Sequence, residues 1–367
     1  KDNVELIEAL AKNIIVYSRA RMISEIAKLN NSTVAIAGTH GKTTTTSMVG
    51  TILKAMNLDP TIIVGGVVKS LESNSVLGAG DTFVVEADEY NKSLLHLSPT
   101  IAVINNIDFE HIECYNDIDD LKDTFLQFAN SVPFYGTVCA CKDSNNVASI
   151  LSKIDKPIIT YGIESQNVDI KAENLHQENG NISFDVKVKD QIFSVNLSVP
   201  GKYNAYNALA ALSVCETMGI DLESACKALS NFSGVKRRFD IKANKDIMII
   251  DDYAHHPVEV QNVIETVKSN WNKNLNVIFQ PHLFSRTKEF YRDFAKALMI
   301  ADNVMITEIF GSREKEDNST TSDLIINEML KLNHKNVSYV SSKDIVEEVK
   351  SVGVKGDIFL TMGAGNI

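Results

Sequence analysis

Residues 38–46, GTHGKTTTT, bring glycine, histidine, lysine and threonine into one short stretch. A bound phosphate needs converging backbone N–H groups, a helix N-terminus and a lysine. Gly38 and Gly41 bracket a turn where the backbone can approach a phosphate closely. Lys42 would reach the β- and γ-phosphates, and Thr43 would place a hydroxyl on Mg²⁺. The common phosphate loop reads G-x-x-x-x-G-K-[ST], and here Ile36 stands where its leading glycine belongs. On these residues alone, a tight strand–helix turn with a solvated lysine is the other reading. In VVEADEYN, Glu86 falls at the carboxyl end of a buried strand, the edge where open parallel sheets bind ligands. Mg²⁺ takes one or two carboxylates along with phosphate oxygens, which makes Glu86 the candidate; Asp88 and Glu89 either support it or are solvated. In INNIDFEHIECY, His111 lies just past another strand end and is a candidate metal ligand. DDYAHHP (251–257) and FQPHLFSRT (279–287) end two further apolar runs with acids, histidines and an arginine, groups that are costly to bury without a purpose.

These residues need a parallel sheet to hold them. TVAIAG, PTIIVGG, TFVVEAD and IAVINNI are apolar runs alternating with helical segments, the pattern of a sheet covered on both faces. KTTTTSMVGTILKAMN reads as the helix after the loop, with Met48, Ile52, Leu53 and Met56 facing the core. DIKAENLHQENGNISFDVKVKDQIFSVNLSVPG alternates with period two around Glu-Asn-Gly-Asn, so antiparallel hairpins are appended there. NAYNALAALSVCETMG is a helix ending at Gly219. A further α/β unit follows, with strands in DIMIIDDY, NVIFQP, DNVMITEIF, VSYV and DIFLTMGAG. Residues 4–29 read as helix, short buried strand (IIVYS) and helix. The predicted units are 1–29, 30–236 and 237–367.

At 367 residues, the chain has room for two or three domains. A net charge of −11 supplies no basic field for nucleic acid or anionic lipid, so a bound polyanion must be held by a local device. No stretch is apolar and long enough to span a membrane, and no signal peptide opens the chain. Both points fit a cytoplasmic protein without nucleic-acid or membrane partners. The five cysteines are unpatterned, and Cys139-x-Cys141 lacks the two-residue spacer of metal and redox motifs, as expected for reduced thiols. The chain opens at Lys1 without Met and stops in FLTMGAGNI, so both ends are expected to be cuts through a longer protein.

GTHGKTTTT, EADE, NNI followed by His111, VPGKYNAYNALAA, GVKRRF, DDYAHHP and FQPHLFSRT occur in the order seen in the Mur ligases, and the chain resembles that family along essentially its whole length. His40 points to the alanine-adding branch, because ligases adding glutamate or diaminopimelate, and folylpolyglutamate synthetase, usually carry Asn there. The resemblance implies an N-terminal UDP-binding domain, of which residues 1–29 would be the tail. It also implies a central P-loop-type parallel-sheet ATPase domain with a small antiparallel sheet, and a Rossmann-like α/β C-terminal domain whose end is incomplete here. The implied activity is ATP-dependent amide-bond formation between L-alanine and the carboxylate of UDP-N-acetylmuramate through an acyl phosphate, in peptidoglycan precursor synthesis. The chain would be a monomer or homodimer, binding ATP by itself but handling UDP-N-acetylmuramate poorly. The alternatives are a ligase recycling murein peptides and a non-catalytic ATP-binding module of the same fold.

By the same resemblance, Gly38, Thr39, His40, Gly41, Lys42, Thr43 and Thr44 hold the phosphates. Thr43 and Glu86 share a first Mg²⁺, and His111 holds a second. Asn204 and Asn207 recognise adenine, Arg238 meets the phosphates and Asp252 the ribose. Tyr253, His255, His282 and Arg286 face the muramoyl and amino-acid end, and Lys42, His111, His255 and Arg286 are the implied catalytic set. Departures from the family pattern are Tyr203 for a usual His, Glu110 for Asp, Asn91 for a second acid, and Leu283 where many relatives carry arginine. The last removes one carboxylate fork and leaves more of the substrate anion to Arg286.

Overall fold

The computed structural model describes residues 3–69, 72–109, 114–312 and 314–367. Two sheets organise them. The first has ten strands: β1 (Ser32–Ala37), β2 (Thr61–Val68), β3 (Ser73–Val76), β4 (Thr82–Glu86), β5 (Ile101–Ile104), β6 (Thr137–Cys141), β7 (Ile158–Gly162), β8 (Ile170–Glu178), β9 (Asn181–Val188) and β10 (Gln191–Leu197). They lie in the order β10-β9-β8-β7-β6-β5-β1-β4-β2-β3. The stretch from β7 to β2 is parallel. The predicted hairpins are present and continue this sheet: β8 joins β7 in parallel at Tyr161 and Gly162, then β9 and β10 add antiparallel. Between β8 and β9, Asn179 (φ 51°) and Gly180 (φ 81°) take the left-handed conformations of a two-residue hairpin turn.

Register explains why the loop and its partners meet. Ile36 pairs with Glu86 and Ala37 with Ile104, so β1, β4 and β5 end side by side. Gly38, the Glu86 carboxylate and Asn105 therefore share one sheet edge. The chain leaves β1 toward β2 and leaves β5 toward β6 on the other side, which makes the crevice between β1 and β5 the switch point where such sheets bind ligands.

The Lys42–Ala55 helix follows the loop. Met48, Ile52 and Leu53 are buried as the spacing predicts, and Met56 packs partly against the same core. Thr43 through Ser47 are buried as well, because the Lys202–Thr217 helix packs against this helix. That second helix stops as expected, with Gly219 (φ 67°) providing the left-handed turn.

The second sheet contains β11 (Asp240–Asn244), β12 (Met248–Asp252), β13 (Leu275–Phe279), β14 (Asn303–Ile306), β15 (Val337–Tyr339) and β16 (Ile358–Met362), ordered β11-β12-β16-β13-β14-β15. All pairs but β11–β12 are parallel. Met362 pairs with both Asp252 and Phe279, so the Tyr253–His255 turn and the Gln280–His282 turn also emerge together. Between the sheets, residues 234–236 zip along the end of β2 through Lys69 N–H to Gly234 O and Lys236 N–H to Val67 O.

One sequence expectation fails near the start. IIVYS is not a strand: it links the Val4–Ala11 and Arg19–Ala27 helices as exposed chain, with Ile15 78% accessible. Extended apolar residues become a strand only on a ladder of backbone partners, and the described residues offer none here.

Candidate active site

The phosphate loop is built by contacts that leave no room for side chains at its glycines. Gly38 has φ 144°, and a Cβ there would lie 2.9 Å from Asn105 Cβ. Gly41 (φ 82°) directly precedes the Lys42–Ala55 helix, and its Cβ would lie 2.4 Å from Asn207 Oδ1. Across the crevice, Thr39 and Asp108 tie the loop to the segment after β5: the Thr39 hydroxyl donates to Asp108 O (3.1 Å) and accepts from Asp108 N–H (2.9 Å). His40 N–H donates to Asn106 Oδ1 at 2.8 Å.

Behind the loop runs a buried chain of neutral groups. Tyr161 hydroxyl donates to Asn105 Oδ1 (3.0 Å), Asn105 Nδ2 to Thr45 Oγ1 (3.0 Å), and Thr45 Oγ1 to Asn207 Oδ1 (3.2 Å). Asn207 Nδ2 then donates to Asn204 Oδ1 (3.2 Å), and Asn204 Nδ2 to Pro200 O (2.6 Å). Asn204 and Asn207 thus lie at the cleft wall and are locked to the loop helix, a link that sequence reading missed.

Lys42 folds back over the loop. Its ammonium donates to Gly38 O (2.6 Å) and to both oxygens of Glu89 (3.0 and 2.8 Å). Glu89 is only 1% exposed, so of its two sequence readings the solvated one is excluded. Glu86 accepts from Gly65 N–H at 2.8 Å. Gly65 and Gly66 are the reason two side chains fit here: a Cβ on the first would lie 2.9 Å from Glu86 Oε2, and on the second 3.1 Å from Thr43 Cγ2. Thr43 meets this glycine pair through its methyl carbon, and the Glu86 carboxylate and Thr43 hydroxyl are hard-oxygen donors of the kind Mg²⁺ accepts when phosphate oxygens complete its shell. Among the described residues no group of three or more His, Cys, Asp or Glu side chains could hold a metal. His111 and Glu110 lie outside the described residues.

A cleft of about 690 Å³ opens from the loop between the two sheets. His40, Gly41, Thr43, Thr44, Asn204, Asn207, Arg238 and Asp252 all line it, and Tyr203 does too. Asp143 also lines it, accepting from the N–H groups of Ile163, Glu164 and Ser165 and from Tyr206 hydroxyl. Burial opposes its charge, but these hydrogen bonds hold its pKa at about 2.

The second sheet contributes the charged wall. Asp252 is buried, accepting from Phe239 N–H (2.6 Å) and Ala254 N–H (2.7 Å). Burial pushes its carboxyl up to about 6 against the pull of Arg238 and both N–H groups. Burial also opposes the charge of Arg238, yet Glu259, Asp252 and Glu86 raise its pKa on balance. Its guanidinium lies over the Tyr253 ring at 5.2 Å. Glu259, on the Pro257–Asn270 helix, was not foreseen. Burial opposes its charge too, and His255, His40 and Arg238 together hold it well below the usual carboxylate range. A signal was available: counting from His256 at the N-cap, Glu259 is the third helical residue, the place where a capping-box acid reaches back to the chain entry.

Beyond the cleft, His255, His282 and Arg286 form a chain of their own. The His255 and His282 rings lie 5.4 Å apart, and Arg286 Nη1 is 3.2 Å from His282 Nδ1. Tyr253 meets the His255 ring edge-on at 5.1 Å. Leu283 between them has φ 66° and ψ 136°, a strained conformation for a side chain with a Cβ. The sequence-predicted residues therefore form two clusters, one around the loop and one after β12 and β13, joined through Glu259 and Arg238.

A glycine-lysine loop at a parallel sheet edge, faced across a cleft by a second α/β unit, is the layout of a nucleotide-dependent ligase fold. Residues 36–215 match the Mur ligase middle domain, and residues 237–365 match the domain described as Mur ligase, glutamate ligase domain. The chain belongs to the Mur ligase family. It is 41% identical to the UDP-N-acetylmuramate–L-alanine ligase of Geotalea uraniireducens strain Rf4, across all of this chain and 80% of that protein. The enzyme of the same name from Sulfurihydrogenibium sp. strain YO3AOP1 is likewise 41% identical with the same coverage. The crystal structure of the UDP-N-acetylmuramate–alanine ligase MurC from Thermotoga maritima superposes with TM-score 0.83 at 30% identity, over all of this chain and 80% of that one. A murein peptide ligase from Psychrobacter arcticus gives 0.73 at 25% identity, over all of this chain and 81% of that one.

Proposed function

We propose that this protein uses ATP to join L-alanine to the carboxylate of UDP-N-acetylmuramate, with release of ADP and phosphate. The whole-chain identity of 41% to ligases of that name carries the reading. The sheet-edge geometry supports the nucleotide half of the reaction.

The chemistry must bring two anions together, a carboxylate and a γ-phosphate, and their repulsion has to be offset by fixed positive groups. Lys42 and the N-terminus of its helix would hold the phosphates, and Arg238 would meet them from the second unit. Thr43 and Glu86 would hold Mg²⁺, which when bound neutralises phosphate charge. Asn204 and Asn207 would recognise the base, and Asp252 the ribose. The substrate carboxylate attacks the γ-phosphorus, ADP departs, and the alanine amine then attacks the acyl carbon and expels phosphate. His255, His282 and Arg286, beyond the cleft, would position the muramoyl carboxylate and the amino acid. Residues 30–236 would serve as the nucleotide-binding unit and 237–367 as the unit that closes on it.

Phosphate release measured with UDP-N-acetylmuramate and ATP tests the reading, comparing L-alanine, the murein tripeptide and D-glutamate as acceptors. L-alanine is expected to give the highest kcat/KM. Preference for the tripeptide would transfer the protein to the peptide-recycling branch, and no turnover with any acceptor would sink the ligase reading.

A further inference from the structure

We propose that Glu259 is a positioning residue that couples the phosphate loop to His255 in the proposed substrate cluster; its kinetic consequences rest on the ligase reading above. The Glu259 side chain is 12% exposed and faces three separate segments. Its Oε1 lies 3.2 Å from His40 Nδ1, in the loop after β1, and 3.6 Å from Arg238 Nη1, in the segment joining the sheets. Its Oε2 accepts from His255 N–H at 3.2 Å and lies 3.4 Å from His255 Nδ1, in the turn after β12. One carboxylate therefore spans both sheets.

Its charge is what separates this role from helix capping. Glu259 lines the same cleft as Gly41 and Thr43, so its negative charge faces the place where a polyphosphate would lie. Like charges at short range oppose binding. A residue that weakens nucleotide affinity while fixing His40, Arg238 and His255 contributes to the arrangement in which the reaction occurs. Misplacement of such groups by about 1 Å can cost about 10²-fold in rate.

Glu259→Gln keeps the shape and an acceptor oxygen but removes the charge. In this variant, ADP is expected to bind as tightly as in the unaltered protein or several-fold tighter by calorimetric titration. The KM for ATP should stay level or fall, while kcat drops by about tenfold or more. In a His255→Ala background the same substitution should cost less than about threefold in kcat, because residues that act through one another are not additive. A lowered melting temperature with weakened ADP binding and unchanged kcat would mean that Glu259 is only a helix cap, and full additivity with His255→Ala would overturn the coupling. If the unaltered protein turned over no acceptor, the ligase reading would fall. The ADP titration would then decide alone, with weaker binding in Glu259→Gln refuting the proposal and equal or tighter binding supporting it.

Discussion

The two halves of the cleft are held in place by different chemistry. Around the loop, shape comes from backbone groups, glycines without room for a Cβ, and the neutral chain from Tyr161 through Asn105, Thr45 and Asn207 to Asn204. Across the cleft, Asp252, Arg238, Glu259 and His255 hold one another by charge. Neutral hydrogen bonds keep their geometry across pH, whereas a charged wall changes with protonation. The loop half should therefore be sensitive to volume and the opposite wall to pH. The buried ion pair of Lys42 with Glu89, in the loop half, is where the contrast can be broken most severely.

Lys42→Met should have the largest effect. It removes the cation proposed for the phosphates, with an expected fall in kcat/KM of about 10³-fold. It also strips a buried carboxylate of its lysine, at a cost of about 3 kcal/mol in unfolding free energy. Adding Glu89→Gln should return most of that stability and none of the turnover, since the neutral amide no longer needs a cation. Denaturant unfolding and phosphate release on the two variants separate these effects. Activity recovered in the double variant would show that Lys42 serves the fold alone.

Asp252 tests the charged wall. Its folded carboxyl is raised to about 6 from an ordinary 3.8. Below the lower value both folded and unfolded chains hold the proton; between the two, the folded chain alone keeps it. Stability is therefore fully present below about 3.8 and lost as pH rises through about 6, by an amount on the order of 2–3 kcal/mol. Asp252→Asn removes this titration. Relative to the unaltered protein, the variant should gain stability by that amount between pH 4 and pH 7 in urea unfolding, whatever its starting deficit. A stability difference independent of pH would contradict the raised carboxyl.

These contrasts also explain what the sequence could reveal. The loop, its helix, Glu86 and the Asn-Gly hairpin were legible because each is local: a glycine spacing, a helical period, a strand end, a two-residue turn. The partners were not, because they meet only after folding. His40 and Glu259 are 219 positions apart, and Lys42 and Glu89 are 47 apart. Burial of the loop helix's threonines left no local signal, because it comes from a second helix packed across them. β6 and β7 passed unnoticed because TVCAC and IITYG are short and carry no flanking motif. IIVYS misled in the other direction, since apolar composition signals a strand only where a neighbour can pair with it.

Gly41→Ala probes volume at the loop. The added methyl would sit 2.4 Å from Asn207 Oδ1 and 3.2 Å from Asn105 Nδ2, at φ 82°. Displacing Asn207 should propagate along the neutral chain, costing about 1–2 kcal/mol of stability and about tenfold in ADP affinity. Because no charge is altered, the loss should be the same at pH 6 and pH 8. A pH-dependent loss would blur the distinction between the halves.

Leu283 offers the smallest and most discriminating test on the substrate side. Its backbone, φ 66° and ψ 136°, is held by Leu283 N–H on Phe310 O (3.0 Å) and by Glu314, which accepts from Phe284 N–H (2.5 Å) and Ser285 N–H (3.1 Å) at the start of the next helix. Leu283→Gly relieves strain of about 1–3 kcal/mol but gives up about 0.5–1 kcal/mol of chain entropy and part of a half-buried side chain. The terms nearly cancel, so stability should move by less than about 1 kcal/mol. Leu283→Val keeps apolar surface but branches at Cβ, which the left-handed region tolerates least, and should lose about 1 kcal/mol or more. If valine were the more stable of the two, Leu283 would be held by packing and not strained, and the substrate half would resemble the loop half after all: fixed by volume, with its charges carried on a relaxed frame.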